Sequence, residues 1–293
     1  MALITLNKLV IIGVGLIGGS FGLAIRKAGI ASNIVGVGRS QENMQRALAL
    51  GVIDEIATDL TSALEGADFI LLAMPVGQTE HIMAQIAPCL EHSTVISDAG
   101  STKQDVVAAA RNHLGVHLKN FVPGHPIAGA EYSGVLAAQN DLYINKHVIL
   151  TPIEETQKMA IELTSALWLA CGAKVSHMRM EEHDEILAAT SHLPHILAFT
   201  LMNYLHKNSN HSENLLRFVG SGFRDFTRIA SSSPEMWRDI CLANREALIK
   251  QIIAYQEELS CLQSMLTNSD GKALKESFSQ ARKMREDWLN RET

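Results

Sequence analysis

The sequence predicts an α/β protein in which a doubly wound parallel sheet is followed by an all-α domain. Up to about residue 150, short runs rich in Val and Ile alternate with segments of helical periodicity. Parallel neighbours require a crossover helix, so this alternation indicates a parallel sheet. After about residue 180 only helical patterns follow. We therefore predict a first domain at residues 1–180 and a second at residues 181–293.

Each predicted element rests on its own pattern and its own ending. The strands end in Gly, Pro or Asp, and they are KLVIIG, NIVGVG, DFILLAMP, STVISDAG, FVPG and KHVILTP. Several helices between them close on a glycine, and they are SFGLAIRKAG, QENMQRALALG, GQTEHIMAQIAPCL and KQDVVAAARNHLG. The second half contributes two helical stretches, MEEHDEILAATSHLPHILAFTLMNYL and MWRDICLANREALIKQIIAYQEELSCLQSML.

Composition excludes several classes of partner. The chain has 293 residues, of which 47% are hydrophobic and 19% charged, enough for two domains. A net charge of -6 argues against nucleic acid or an anionic membrane as the main partner. The four cysteines stand far apart without a CxxC pair, so neither a disulfide framework nor a metal site is expected. A cytoplasmic protein fits these observations.

The motif GVGLIG lies directly after the first predicted strand and before a helix. Gly13, Gly15 and Gly18 allow a tight turn, close approach of a pyrophosphate, and packing of helix on strand. The helix start, at Leu16 and Ile17, offers free N–H groups to the anion. The strand–turn–helix context supports a Rossmann-type dinucleotide site over a turn needed only for packing.

The end of the second strand bears on the choice of cofactor. An NAD site would place Asp or Glu about twenty residues past Gly18, where this chain has Gly38, followed by Arg39 and Ser40. The missing carboxylate and the guanidinium donors of Arg39 favour a 2′-phosphate, so we predict NADP. The alternative is that Arg39 is a solvated charge and that NAD binds without the acid.

Two further strand ends should face the cofactor, because ligands of such sheets lie beyond the carboxyl ends of the strands. AMPV supplies Met74 and Pro75, and SDAGSTK supplies Asp98, Ser101 and Lys103. The Ser101 hydroxyl could donate to a substrate hydroxyl or to the nicotinamide amide. Helix capping ahead of KQDVVAAA is an equally good interpretation of Ser101.

The segment GHPIAGAEYSG follows the next strand end and should border the same crevice. Pro126 restricts His125 to extended backbone angles, and Gly124 and Gly129 let the loop approach a ligand closely. An imidazole there can act as a general base, because its ordinary pKa lies close to neutrality. A framed histidine can also be purely structural.

The motifs together resemble the prephenate and arogenate dehydrogenase family of tyrosine biosynthesis. GVGLIGGS, AMPV, DAGSTK, GHPIAGAEYSG, LYINKHVILTP, SHLPH, GSGFRDFTRIA and PEMWRD occur in that family's order and spacing. The resemblance implies oxidative decarboxylation: hydride passes from the hydroxyl-bearing ring carbon to NAD(P), carbon dioxide leaves, and the ring becomes aromatic. His125 would be the catalytic base and Ser101 its catalytic partner.

The resemblance also implies six substrate-binding residues, namely Arg228, His195, Ser191, His192, Glu131 and Trp237. Arg228 would bind the substrate carboxylate, while Glu131 would lie at the pocket mouth and Trp237 would reach a neighbouring subunit's site. Structural roles are the alternative. The histidines of SHLPH could be hydrogen-bonded polar groups on a helix, Arg228 could pair only with Asp225, and Trp237 could belong to a helical core.

Two loop positions bear on substrate preference, and one helical stretch bears on assembly. Many family members have Thr and Lys where this chain has Ala130 and Tyr132, which leaves the choice between prephenate and arogenate open. The apolar helical stretch from Trp237 to Leu262 predicts a homodimer, which makes the all-α domain a dimerisation domain.

Two rival functions carry different expectations. A β-hydroxyacid or imine-reducing dehydrogenase would use a lysine or aspartate on the first long helix after the sheet domain, where EEHDEILAATSHLPH has no lysine. A non-catalytic dinucleotide-binding sensor would not require converging His and Arg side chains.

Overall fold

A computed structural model describes residues 4–130, 132–208 and 217–292 of the chain. The chain divides into two units, Met1–Arg245 and Glu246–Thr293. Among the described residues, no helix has both the length and the apolar character needed to cross a membrane.

Six parallel strands form the main sheet, in the order β3-β2-β1-β4-β5-β6. They are β1 (Leu6–Ile12), β2 (Ala31–Val37), β3 (Glu55–Ile56), β4 (Phe69–Leu72), β5 (Val95–Asp98) and β6 (Phe121–Val122). The chain runs outward in one direction from β1 to β3 and in the other from β4 to β6. The carboxyl ends of β1 and β4 therefore flank a topological switch point, where ligands of this architecture bind. The predicted doubly wound parallel sheet is confirmed.

A second, three-stranded sheet was not predicted. It contains β7 (Gly124–Pro126), β8 (His147–Leu150) and β9 (Lys174–His177), with β7 antiparallel to β8. FVPG contributes β6 to the parallel sheet, as predicted, whereas KHVILTP forms β8 of the second sheet, so the expectation for KHVILTP was wrong. Pro123 cannot donate a ladder hydrogen bond, and the chain turns there so that His125 pairs with Ile149 instead.

Helices cover both faces of the main sheet, and the later part of the described chain is helical. In the first part of the chain they are α1 (Leu16–Lys27), α2 (Gln41–Ala49), α3 (Leu60–Leu64), α4 (Thr79–Ile86), α5 (Gln104–His113) and α6 (Lys158–Ala170). One face of the sheet packs an aromatic cluster in which the Phe21 and Trp168 ring centroids lie 4.7 Å apart. Buried aliphatic side chains fill the other face.

The later helices are α7 (Met180–Leu187), α8 (Leu193–Asn208), α9 (Ser221–Thr227), α10 (Pro234–Ala243), α11 (Arg245–Thr267) and α12 (Gly271–Glu292). A single π-helical turn, Ala188–His192, joins α7 to α8. Strands end at His177 within the described chain, which agrees with the predicted all-α second half.

The helical stretch from Trp237 to Leu262 is broken at Asn244, between α10 and α11. The Asn244 amide turns inward and donates to the Asp184 carbonyl at 2.7 Å, which leaves it outside regular helical geometry. In α10, Trp237 and Ile240 are buried against Val76. Along α11 the apolar side chains are instead exposed, as at Ile249, Ile253 and Leu259.

Candidate active site

The glycine turn borders a cavity of about 670 Å³ at the switch point of the sheet. A Cβ on Gly13, whose φ is 99°, would lie 2.7 Å from the backbone of Ala73 and Met74, and one on Gly18 would overlap the Gly13 carbonyl. Nothing lies within 4 Å of the corresponding position on Gly15. Packing thus requires the first and third glycines, whereas Gly15 keeps space free for a ligand.

The start of α1 is suited to an anion. Gly15 is its N-cap and no side chain caps the helix there. Gly15, Leu16 and Ile17 line the adjoining central cavity. The N–H groups of the first turn are therefore available to a pyrophosphate, so these residues fit the predicted dinucleotide.

Arg39 and Ser40 lie at the far end of the nucleotide cavity. With its amide oxygen turned toward Arg39, Gln78 accepts hydrogen bonds from the two terminal guanidinium nitrogens at 3.1 and 3.3 Å. Ser40 caps α2 by accepting from the Asn43 N–H at 3.2 Å. Among the described residues that line this cavity there is no Asp or Glu.

A central cavity of about 410 Å³ opens beside the nucleotide cavity. Met74 and Pro75, at the end of β4, line both cavities. Ser101 and His125 line the central one. The structure thus brings the end of the glycine turn, the Ser101 hydroxyl and the His125 imidazole to one cavity.

A third cavity, of about 290 Å³, contains Arg228 and His195. It shares Gly129, Ser231 and Met236 with the central cavity, so the two adjoin. His125 and Arg228, far apart in sequence, therefore open onto neighbouring parts of one cleft. No ion pair joins Arg228 to an acid in the described part of the chain, so the structural alternative of a pair with Asp225 is not observed.

His195 is held by two neighbours. Its ring stacks on Trp237 with centroids 3.9 Å apart, and its Nδ1 donates to the Ser191 carbonyl at 3.0 Å. Burial lowers the pKa of His195, and nearby Arg228 lowers it further. A neutral His195 with Nδ1 protonated carries its lone pair on Nε2, which makes it a hydrogen-bond acceptor in the cleft.

Several predicted substrate residues are placed differently. His192 is 1% exposed and accepts from the Asn244 amide at 3.2 Å, and burial lowers its pKa to about 4. Neither Ser191 nor His192 lines the three cavities described above. His192 lies on the π-helical turn with its side chain in the protein interior, away from these cavities. Ser191 acts through its carbonyl, on His195.

Two further predicted substrate residues are Trp237 and Glu131. Trp237 was expected to reach a neighbouring subunit's site, but it is 7% exposed and stacks on His195 of its own chain. It lines the cavity that holds Arg228. Glu131, expected at the pocket mouth, lies outside the described residues.

A chain of buried side chains behind His125 was not predicted. His125 Nδ1 lies 2.9 Å from His183 Nε2, and His183 Nδ1 lies 2.8 Å from an Asp184 carboxylate oxygen. Asp184 also accepts the backbone N–H groups of Lys103 and Gln104, each at 2.9 Å. This distant carboxylate, and not Ser101, therefore caps α5. The only sequence signal was the adjacent His–Asp pair in EEHDE, beside many other charges.

A buried ion pair fixes the residue before His125. Lys103 is fully buried; its ammonium pairs with the Asp98 carboxylate and donates to the Gly124 carbonyl at 2.7 Å. Asp98 in turn accepts the Gly124 N–H at 3.0 Å. Both polar groups of Gly124 are thereby held, which sets the direction of the His125 side chain.

Replacing Asp98 by Asn is expected to lower the free energy of unfolding by about 3–5 kcal/mol, because the buried Lys103 ammonium loses its counter-charge. Urea unfolding, followed by tryptophan fluorescence, measures the change. Glu155→Gln, which breaks the exposed pair with Arg111, is the matched control and should have little effect. An unfolding midpoint for Asp98→Asn equal to that of the control would contradict the assigned role.

The environment keeps His125 uncharged. Burial, then the neighbouring His183 and Lys103, hold the pKa of His125 well below its ordinary value. The ring is therefore neutral at pH 7 and able to accept a proton. Within the described chain, no three His, Cys, Asp or Glu side chains converge as a metal site requires.

The sheet with its glycine turn adjoins a cleft that holds a neutral histidine and an arginine with no acid partner among the described residues. Together they define a class: the dinucleotide-dependent dehydrogenases. Comparison with known proteins gives the family. Residues 21–177 match the nucleotide-binding domain of prephenate dehydrogenase, and residues 179–280 match its dimerisation domain.

Individual relatives support the same family. The chain is 40% identical to the Bacillus subtilis prephenate dehydrogenase, over 96% of this chain and 76% of the relative. It is 34% identical to the Zymomonas mobilis cyclohexadienyl dehydrogenase, over 95% of each. The crystal structure of the A. aeolicus prephenate dehydrogenase with hydroxyphenyl propionate and NAD+ superimposes with a TM-score of 0.91 at 36% identity, covering 97% of this chain and 99% of that one. The chain belongs to the prephenate dehydrogenase family, as the motifs predicted.

Proposed function

We propose that this protein is an NAD(P)-dependent dehydrogenase that oxidatively decarboxylates prephenate to 4-hydroxyphenylpyruvate. Relatives named prephenate dehydrogenase and cyclohexadienyl dehydrogenase support this reaction. One observation carries the proposal. The neutral His125 lines the same cavity as the start of α1, where the dinucleotide would bind. Gly13, Gly15, Leu16, Ile17 and Gly18 would hold the dinucleotide, which supplies a hydride acceptor when bound.

In this proposal His125 accepts the proton of the ring hydroxyl as hydride leaves the same carbon. The electron pair of the carbon–carboxylate bond then enters the ring, carbon dioxide departs, and the ring becomes aromatic. The phenolate oxygen takes the proton back, so the overall reaction releases no net proton. Ser101, on the same cavity, would donate to the hydroxyl oxygen and orient it.

Arg228 and His195 would hold the other end of the substrate. A guanidinium can pair with a carboxylate through two parallel hydrogen bonds, and Arg228 has no acid partner in the described residues. Trp237 would fix the plane of His195, and Ser191 its tautomer. Met74 and Pro75 would separate the two ends of the dinucleotide site. Glu131, between Ala130 and Tyr132 in the sequence, would lie at the mouth of the substrate pocket.

The reaction is tested by incubating the purified protein with prephenate or arogenate and each cofactor while following the absorbance of the reduced nicotinamide. We expect prephenate to be turned over, and the ratio of kcat/KM for the two ring substrates measures the preference. Failure to reduce either cofactor with either substrate would contradict the proposal and would favour a non-catalytic dinucleotide sensor.

We further propose that NADP is preferred over NAD. The nucleotide cavity has no acid among its described lining residues to bind a ribose 2′-hydroxyl, and Arg39 supplies donors for a 2′-phosphate. Arg39→Gln should weaken NADP binding by about 10- to 100-fold and leave NAD binding nearly unchanged. Arg46→Gln, on the adjoining helix α2 and paired with Glu42, is the matched control. Tighter binding of NAD than NADP to the unaltered protein, measured by fluorescence titration, would contradict this preference.

The protein is expected to act as a homodimer. Residues 179–280 match a dimerisation domain, and α11 exposes Ile249, Ile253 and Leu259. A second copy would cover such apolar side chains.

A further inference from the structure

We propose that His183 is a positioning residue for the reaction, and that with Asp184 it stores the proton that His125 takes from the substrate. This inference rests on the proposed function, because it requires His125 to be the base. His183 is 0% exposed and cannot touch the substrate. Its effect must therefore pass through His125, whose Nδ1 lies 2.9 Å from His183 Nε2.

The hydrogen bonds define which nitrogen of each ring carries the proton. Burial disfavours the charged form of Asp184, but hydrogen bonds from His183 and from the Gln104 and Lys103 N–H groups outweigh it and lower the pKa of Asp184. An ionised carboxylate only accepts hydrogen bonds, so His183 Nδ1 carries a proton and donates it to Asp184. Burial lowers the pKa of His183, which keeps the ring neutral with its lone pair on Nε2.

The tautomer of His125 follows from that of His183. Since His183 Nε2 is an acceptor, His125 Nδ1 must be the donor across the 2.9 Å contact. The lone pair of a neutral His125 is then on Nε2, the nitrogen that the contact leaves free for the cavity. The opposite tautomer of His125 would put two lone pairs face to face. His183 thus holds His125 in the form that can accept a proton from a substrate hydroxyl.

The same contacts provide a place for the proton. When the hydroxyl proton reaches His125 Nε2, the Nδ1 proton can move to His183 Nε2. His183 then bears the positive charge 2.8 Å from the Asp184 carboxylate, whereas a charge left on His125 would contact no carboxylate of the described residues. The steps reverse when the phenolate takes the proton back after decarboxylation. No atom or electron is gained or lost along the path.

The surrounding charges favour storage on His183 over storage on His125. The charged groups nearest to His183 are Asp184 on α7, Lys103 before α5, and Asp98 on β5, which pairs with Lys103. His192, on the π-helical turn, is buried and neutral. The effects of Asp184 and Asp98 on His183 favour its protonated form, whereas the neighbours that act on His125 all oppose its protonated form.

The test compares His183→Ala and His183→Gln with the unaltered protein. Alanine removes the acceptor for His125 Nδ1. The glutamine carbonyl can accept that hydrogen bond but cannot take up a proton, so it separates orientation from storage. We expect kcat for prephenate to fall about 100-fold in the alanine variant and less in the glutamine variant, with KM for prephenate changed by less than about threefold in both. NAD(P) binding, measured by fluorescence, reports that the cavity is intact.

Two readouts separate this role from a merely structural one. The acidic limb of the kcat/KM profile should move to lower pH in the alanine variant, because a protonated His125 then loses both the acceptor for its Nδ1 proton and the Asp184 carboxylate behind that acceptor. In ¹⁵N NMR spectra, His125 should carry its proton on Nδ1 in the unaltered protein and in the glutamine variant, but populate both tautomers in the alanine variant. His81→Gln, at an exposed histidine, is the matched control and should change neither readout.

The outcomes distinguish this inference from the function on which it rests. If both His183 variants keep the unaltered kcat and acidic limb while His125→Asn abolishes turnover, His183 has no part in the reaction and only the inference fails. If the unaltered protein does not oxidise prephenate or arogenate, the proposed function itself fails. Protonation of His125 at Nε2 in the neutral unaltered protein would also overturn the inference.

Discussion

His125→Asn is expected to lower kcat for prephenate by about 10²- to 10⁴-fold with little change in KM. Asparagine keeps a polar side chain of similar reach but cannot accept the hydroxyl proton. Prephenate should still bind, because its carboxylate contacts in the proposal involve Arg228 and not His125. Steady-state kinetics on prephenate with saturating cofactor give both parameters.

The pH profile of the unaltered protein provides a second measure of the same base. The pKa of His125 is held below its ordinary value by burial and by neighbouring His183 and Lys103. The base form therefore persists below about pH 6.5, and kcat/KM should fall only as the pH drops through the lowered pKa. His147→Asn, an exposed histidine on β8, is the control. Turnover by His125→Asn equal to that of this control would show that another group is the base.

Arg228→Ala is expected to raise KM for prephenate by about 10- to 100-fold, which corresponds to about 1.4–2.7 kcal/mol, while kcat changes much less. A charge-assisted pair with the carboxylate binds the ground state and the transition state alike, so its loss weakens binding without altering the chemical step. Initial rates over a range of prephenate concentrations separate the two parameters.

Arg224→Ala is the matched control for this prediction. Arg224 lies one helical turn before Arg228, and it lines an outer cavity but not the one that contains His195. Equal increases in KM for the two variants would indicate a general electrostatic effect of either guanidinium. Arg228→Lys should recover part of the affinity, since an ammonium keeps the charge but loses the two-pronged geometry.

Local patterns were sufficient to predict the main sheet and the nucleotide site. The strands β1, β2, β4 and β5 contain apolar runs closed by turn residues. The glycine spacing has a steric reason, which the structure confirms at Gly13 and Gly18. β3 and β9 were missed because one has two residues and the other, KVSH, is mostly polar. At Pro123 the chain leaves the main sheet and pairs with β8. Local sequence patterns do not specify such a pairing partner.

The features of the site that sequence reasoning missed depend on tertiary contacts or on irregular backbone geometry. Asp184 caps a helix about eighty residues earlier in the chain and supports His183 at the same time. Lys103 was expected among the residues that face the cofactor, but it is fully buried and pairs with Asp98. His192 faces inward on a π-helical turn that precedes α8. This turn departs from the spacing of 3.6 residues per turn, and no sequence pattern predicts it.

A crystal structure of the protein with oxidised NAD(P) and 4-hydroxyphenylpyruvate would show whether His125 is the base and whether Arg228 binds the carboxylate. We expect the phenolic oxygen within about 3 Å of His125 Nε2 and the carboxylate paired with the Arg228 guanidinium. A complex in which the phenolic oxygen contacts another titratable side chain, or in which the carboxylate lies away from Arg228, would contradict it.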